Sequence, residues 1–160
     1  MLEEGMPEHV VEIDVGFTPE AAVSGAILLQ SEQSTFLIFN AMKFSPATGF
    51  YEDAGLAICE FIGCTITKFG YPNDEAWAAI PRTRDLVYCV CEVLDSDWKL
   101  QLADLNRFAF PDTSEWGGRH FLILFHDSSF ECIAREMRAE LTDDRIEDVL
   151  SRLSQRIAAE

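Results

Sequence analysis

The chain has few basic residues, and this scarcity excludes several classes of partner. Lys and Arg together number 12 against 28 Asp and Glu, so the formal net charge of the 160-residue sequence is −16 at pH 7. Lysine occurs at Lys43, Lys68 and Lys99, and the arginines are scattered rather than clustered. A net field of this sign repels nucleic-acid phosphates and anionic lipid headgroups. We therefore expect no nucleic-acid partner and no membrane partner.

Long apolar runs and an export signal are also missing. No apolar run approaches the ~20 residues that a membrane-spanning helix needs. The chain begins with MLEEGMPEHVVEIDV, which is acidic, whereas a secretory signal has a basic start and an apolar stretch. The cysteines form an odd number, 5, and lie within apolar runs, which is typical of reduced and buried thiols. These features favour a cytoplasmic protein.

The motifs that commonly hold cofactors or metals are absent from the sequence. It contains no glycine-rich phosphate loop, no Gly-x-Ser-x-Gly turn, and no His-x-x-x-His or Cys-x-x-Cys spacing. Cys89 and Cys91 would share one face of a strand and could chelate a soft metal, but a closed zinc site needs two further ligands. Packing of both thiols as small apolar side chains is the favoured interpretation. The sequence thus predicts no cofactor and no metal.

Composition places the chain among folded domains. Hydrophobic residues make up 48% and charged residues 25%, which is too apolar for a disordered chain. Since a domain has roughly 150 residues, we expect residues 1–160 to form a single domain. Residues 1–8 and 158–160 are expected to fray, because chain ends are poorly tied to a core.

Hydrophobic patterning predicts a protein built mainly of strands. Two pairs of apolar runs flank short polar breaks and therefore indicate β-hairpins. The predicted strands cover residues 9–17, 25–30, 35–39, 54–69, 86–94, 120–125 and 130–134. The run 54–69 contains two glycines and is interpreted as one bent or bulged strand. Residues 43–49 are predicted to form a loop.

Three segments carry helix signals. Asn73 and Ser96 can each cap a short helix, and Thr142 can cap a C-terminal helix. The apolar stripe of that last helix is Ile146, Val149, Leu150, Leu153 and Ile157. Because the element order lacks regular βαβ alternation, we predict an α+β fold. It would have a mainly antiparallel sheet of about six to seven strands, with two short helices and the amphipathic C-terminal helix packed on one face.

The tip of the last hairpin concentrates reactive residue types. Asp127 could hold the neighbouring His126 in one tautomer, so that the imidazole works as a base. If Cys132 or Ser128 reached the imidazole, a nucleophile–base pair would follow. In the favoured interpretation, Asp127 and Ser128 simply form the turn. The catalytic set His126, Asp127 and Cys132 therefore belongs to an alternative hypothesis, a small hydrolase or thiol-dependent enzyme.

A second candidate site is a surface for protein binding. Trp116 lies in a glycine-rich loop next to Glu115, and tryptophan is over-represented at binding hot spots. Trp116, Glu115, Asp112 and Asp127 are the predicted partner-binding residues. Packing of Trp116 on the core is an interpretation of equal weight.

The leading function hypothesis follows from the charge. We expect a non-enzymatic binding or regulatory protein whose acidic surface binds a basic protein, for example in neutralising a toxin or effector. A small-ligand-binding sheet domain is a further alternative, because strands that are apolar on both faces are compatible with a cavity. The C-terminal stripe could pack on the protein's own sheet or seal a homodimer.

Overall fold

The fold is seen in a computed structural model that describes residues 7–113 and 116–160. The strands in these ranges are β1 (His9–Glu12), β2 (Thr18–Pro19), β3 (Ile27–Gln30), β4 (Thr35–Ser45), β5 (Phe50–Ile62), β6 (Ile66–Gly70), β7 (Val90–Leu94), β8 (Arg119–Leu124), β9 (Ser129–Ala134) and β10 (Glu136–Thr142). The helices are α1 (Asp74–Ala78), α2 (Asp97–Ala109) and α3 (Ile146–Ala158), with one turn of 3-10 helix at Pro81–Thr83. Part of the segment predicted to fray, residues 1–6, lies outside the described residues.

The strands form two antiparallel sheets of five strands each, so the fold is α+β as predicted. The first sheet has the order β1-β7-β8-β9-β6. The second has the order β10-β5-β4-β2, and β3 also pairs with β4. The prediction of one sheet with about six to seven strands differs from this arrangement. It missed β10, a mostly exposed edge strand in which Met137, Ala139 and Leu141 alternate with charged residues.

The two sheets pack face to face around an aromatic core. Alternate residues of a strand point to the same face, so each central strand contributes a row of side chains to this interface. Phe61 of β5 packs on Phe121 and Phe130 of the first sheet, with ring centroids 5.7 and 5.0 Å apart. Phe39 of β4 packs on Phe125 at 5.1 Å. All five rings are buried, and they hold the β8–β9 hairpin against the second sheet.

Helix α3 covers the outer face of the second sheet. Val149 and Leu153 of its stripe are buried there against Phe36, Ile38 and Ile58. The stripe therefore packs on the protein's own sheet. The helix begins at Ile146, because β10 continues through Thr142. The predicted start at Thr142 was thus too early.

The first sheet carries its own helical cover, so helices lie on both outer faces rather than on one. Trp77 of α1 is buried there against Cys91, Val93 and Leu122.

No helix among the described residues combines the length and the apolar character needed to cross a membrane.

Three predicted strands are shorter in the structure. β1 ends at Glu12, β3 begins at Ile27 and β7 begins at Val90. Beyond β1, the Ile13 N–H still donates to the Val90 carbonyl at 2.8 Å. Val15 and Phe17 also pack against the inter-sheet core, although they lie outside the strands. The alternation of apolar residues therefore reports burial correctly at positions where strand pairing has ended.

Gly63 divides the predicted strand 54–69 into two. β5 ends at Ile62 in the second sheet, and β6 begins at Ile66 in the first. Gly63 has a φ of +62°, a left-handed conformation that glycine adopts without steric cost. The glycine therefore lets the chain cross from one sheet to the other.

The distal part of the β4–β5 hairpin, residues 43–53, extends beyond its sheet; we call it the β4–β5 arm. β2 pairs with β4 only at Ala41 and Met42, and β10 pairs with β5 from Leu56 onward, so the arm residues pair with one another. The loop predicted for residues 43–49 thus narrows to a tight turn between two strands. Phe44, Phe50 and Tyr51 of the arm are exposed.

Candidate functional site

Three side chains from separate segments meet at the tip of the β8–β9 hairpin; we call them the His126 cluster. Asp74 Oδ2 accepts a hydrogen bond from His126 Nδ1 at 2.8 Å and another from the Tyr88 hydroxyl at 3.0 Å. The backbone N–H of Asp74 donates to the His126 carbonyl at 3.2 Å. His126 is therefore held by Asp74, while Oδ1 of the predicted partner Asp127 lies 3.9 Å from His126 Nε2.

The local sequence places Asp74 at this position. Asn73 caps α1 by accepting a hydrogen bond from the Ala76 N–H at 3.2 Å, which confirms the predicted cap. Asp74 and Glu75 occupy the first turn, where carboxylates interact favourably with the helix dipole. Trp77 anchors the helix to the sheet. The start of α1 thus brings two carboxylates to the hairpin tip.

Mutual hydrogen bonding shifts the pKa of each member of the cluster. The hydrogen bond from His126 lowers the pKa of the Asp74 carboxyl against the opposing effect of burial, and the Tyr88 hydroxyl adds to the lowering. The hydrogen bond to Asp74 and its negative charge raise the pKa of the His126 imidazole. Burial and then the Asp74 carboxylate raise the pKa of the Tyr88 hydroxyl. The cluster therefore favours an imidazolium–carboxylate pair with Tyr88 as a second donor.

We expect His126 to titrate above the ordinary histidine pKa of about 6.5. Because the folded pKa is raised, the stabilisation by this pair is present below the unfolded pKa and is lost as pH rises through the folded pKa. An NMR titration of the imidazole protons should show the pKa falling in Asp74→Asn and changing less in Asp127→Asn. A His126 pKa that is the same in wild type and Asp74→Asn would contradict the assignment.

The thiol of the predicted catalytic set lies elsewhere. Cys132 pairs with Phe121 across the β8–β9 ladder and faces the inter-sheet core, where it has no exposed surface. Burial raises the pKa of its thiol well above the usual range. The pKa of the Cys64 thiol shifts in the opposite direction, because a hydrogen bond with Cys132 lowers it to about 7. The structure thus does not bring Cys132 to His126.

Cys91 of β7 and Cys89, which lies just before this strand, also face a core. Cys89 Sγ and Cys91 Sγ are 2.8 Å apart and are buried beneath Trp77 on the outer face of the first sheet. Within residues 7–113 and 116–160, no group of three or more His, Cys, Asp or Glu side chains is arranged to hold a metal ion.

Two hollows adjoin the His126 cluster. The smaller has a volume of about 280 Å³ and the larger about 590 Å³. Both are lined by Val87 and Tyr88, so they meet there, and we call the combined surface the Val87 groove. Its other lining residues include Pro19, Glu20, Met42, Tyr51, Asp74, Glu75 and Trp77. The groove is mainly apolar, and Tyr51 connects it to the β4–β5 arm.

The predicted partner-binding residues are spread over the molecule. Trp116 lies before β8 and lines a hollow of about 390 Å³ together with Lys99 and Arg107 of α2. Asp127 follows the other end of β8, a strand whose six residues span roughly 17 Å at about 3.3 Å per residue. Asp112 is exposed in the turn after α2, and Glu115 lies outside the described residues. Trp116 therefore lies beside the basic side chains of Lys99 and Arg107, whereas Asp127 lies near the Val87 groove.

A further polar cluster was missed by the sequence analysis: the Ser96–His120–Glu131 triad. The Ser96 hydroxyl lies 2.7 Å from His120 Nδ1, and Glu131 Oε1 lies 3.0 Å from His120 Nε2. Ser96 also caps α2 by accepting a hydrogen bond from the Lys99 N–H at 3.1 Å. All three side chains are buried, on the outer face of the first sheet. The available signal was the presence of His120 and Glu131 within otherwise apolar strands.

No protein-family model, no curated protein and no solved structure matches the chain.

Proposed function

We propose that this protein is a binding protein that captures a basic protein partner at the Val87 groove. The observation that carries the proposal is the presence of an apolar lining and carboxylates in one concave surface. Val87 is 64% exposed and Tyr51 57% exposed, although both are large apolar or aromatic side chains. Glu20 and Glu75 line the same surface, together with Asp74, which is paired with His126, and one basic residue, Arg84. Protein interfaces typically combine an apolar centre with a polar rim.

The remaining charge of the molecule supports a basic partner. Most arginine side chains form ion pairs with carboxylates of the chain, so their charges are compensated locally. These arginines are Arg82, Arg107, Arg119, Arg138, Arg145, Arg152 and Arg156. The unpaired carboxylates then dominate the field, which attracts a positively charged protein and accelerates association. Neutralisation of a basic toxin or effector is one concrete version of this function.

The β4–β5 arm adds a contact surface of suitable chemistry. Phe44 and Tyr51 pack on each other with ring centroids 5.5 Å apart, and Phe50 beside them is 73% exposed. Aromatic residues and methionine are enriched in interfaces. We therefore expect the partner to present an apolar anchor flanked by lysine or arginine side chains.

Purification from the native host at low ionic strength tests the function. Native mass spectrometry is expected to show the chain with a basic protein bound. The complex should dissociate as salt is added, because the Debye length falls to about 3 Å at 1 M ionic strength. A complex with a basic protein whose affinity is the same at low and high salt would contradict the electrostatic part of the proposal.

A pair of charge reversals tests the location. Glu75→Lys combined with Asp127→Lys should weaken the complex at least about tenfold, equivalent to about 1.4 kcal/mol. Glu32→Lys combined with Glu140→Lys makes the same change in net charge at exposed sites of the second sheet and is the matched control. Equal weakening by the two double variants, measured by calorimetry, would refute binding at the groove.

A further inference from the structure

We propose that the Ser96–His120–Glu131 triad is a second site, independent of the Val87 groove, in which Ser96 is the nucleophile for hydrolysis of small esters. The two sites lie at opposite ends of β8, since His120 is near its beginning and His126 follows its end. Failure of one assignment therefore leaves the other intact.

The hydrogen bonds of the triad define where protons reside. A carboxylate oxygen accepts hydrogen bonds and does not donate them, so His120 Nε2 carries the hydrogen that Glu131 accepts at 3.0 Å. In the neutral imidazole, the lone pair of Nδ1 is then available to the Ser96 hydroxyl at 2.7 Å. This arrangement contains the three parts of an activated nucleophile: the hydroxyl, its base and the group that orients the base.

Glu131 is maintained as a carboxylate despite its position in the sheet. Burial by itself would raise the pKa of the Glu131 carboxyl. The hydrogen bond from His120 and the positive charges of Lys68 and Arg82 outweigh that effect and hold the pKa below its usual value. Glu131 can therefore orient His120 and stabilise the imidazolium that forms when Ser96 loses its proton.

A cavity gives a substrate access to the hydroxyl. It has a volume of about 310 Å³ and is lined by Ser96, His120, Lys99 and Arg119 among others. Ser96 and His120 are 4% and 2% exposed, so the reacting groups lie in the wall of a half-open cavity and are themselves nearly buried. Asp95 precedes Ser96 with a φ of +53°, a left-handed turn that directs the chain from β7 into α2. The volume fits a small acyl ester.

An anion already occupies the helix end next to Ser96. The backbone N–H of Asp97, the first residue of α2, donates to Glu8 Oε1 at 2.7 Å. The same kind of N–H donor stabilises the oxyanion that develops during acyl transfer. The carboxylate of Glu8 thus competes for this donor, and its removal should accelerate the reaction.

The reaction proceeds in two balanced steps. Ser96 Oγ attacks the ester carbonyl carbon while its proton moves to His120 Nδ1. The bond to the alkoxy oxygen then breaks, and the alcohol leaves with that proton. Water next attacks the acyl-serine and gives a proton to His120. Cleavage of the acyl–Oγ bond releases the carboxylic acid and returns the proton to Ser96.

Covalent labelling of the full chain with a fluorophosphonate tests the nucleophile. Peptide mapping is expected to place the label on Ser96 in wild type, and p-nitrophenyl acetate should be hydrolysed with saturation. Ser96→Asn keeps a good helix cap and should remove both labelling and hydrolysis. Ser129→Ala alters another buried serine of the same sheet and should change neither. A folded wild type that takes up no label, or a label that persists in Ser96→Asn, would overturn the proposal.

Three further variants test the other groups. Glu131→Gln should lower kcat by about 100-fold or more, as expected for loss of base orientation, and Glu131→Asp should recover part of that loss. Glu8→Ala removes the acceptor of the Asp97 N–H and should raise kcat, and an unchanged kcat would contradict the competition for this donor. An unchanged kcat in Glu131→Gln would refute the positioning role of Glu131.

Discussion

Replacing Phe61 with alanine is expected to lower the free energy of unfolding by about 3–5 kcal/mol. Phe61 is 1% exposed and contacts the rings of Phe121 and Phe130 from across the two sheets. The truncation would therefore remove buried apolar surface and leave a cavity in the layer between the two sheets. Urea unfolding followed by circular dichroism measures this loss.

Phe50→Ala is the matched control for that experiment. It removes the same ring from the same strand, but Phe50 lies in the β4–β5 arm and is 73% exposed. A change within about 0.5 kcal/mol is expected, as for other surface substitutions. Equal losses in the two variants would mean that the sheets do not pack through Phe61.

Replacing His120 with leucine is expected to destabilise the protein by about 3–5 kcal/mol, because it leaves the buried Glu131 carboxylate without its partner. The double variant His120→Leu/Glu131→Leu should recover most of this loss, since apolar pairs often replace buried ion pairs without cost. Unfolding curves of the two variants and wild type provide the comparison. Equal stability of the single and double variants would contradict the buried pair.

The pH dependence gives a second measurement of this pair. Because the pKa of Glu131 is lowered in the folded state, its stabilisation is present above the unfolded pKa of about 4.3 and is lost as pH falls through the folded pKa. The double leucine variant should therefore lose less stability on acidification than wild type. The exposed pair Glu136–Arg138 provides a control, and Arg138→Leu should leave stability unchanged within error.

Local features of this fold could be predicted from the sequence. The hairpin around residues 126–128 and the buried stripe of α3 depend on turn residues and on a single helical period, and both are present as predicted. The cap at Asn73 is equally local. Each of these signals is contained within a few residues, so no knowledge of distant pairing was required.

The candidate sites depend on pairing between distant segments, which sequence periodicity does not contain. His126 meets Asp74 across 52 residues of chain, and Ser96 meets His120 across 24. The division into two sheets also depends on pairing between distant segments. It requires the left-handed turn at Gly63 and the particular pairing of the strands within each sheet. Strand register decides which polar residues become neighbours.

The charged edge strand β10 also governs how copies of the protein meet. Glu136, Arg138 and Glu140 alternate along this edge, on a strand that pairs with β5 on its other side. A second molecule adding there as an extra strand would bring its backbone against these charges and would have to desolvate them. This edge thus resists the strand-by-strand growth that leads from folded domains to fibrils.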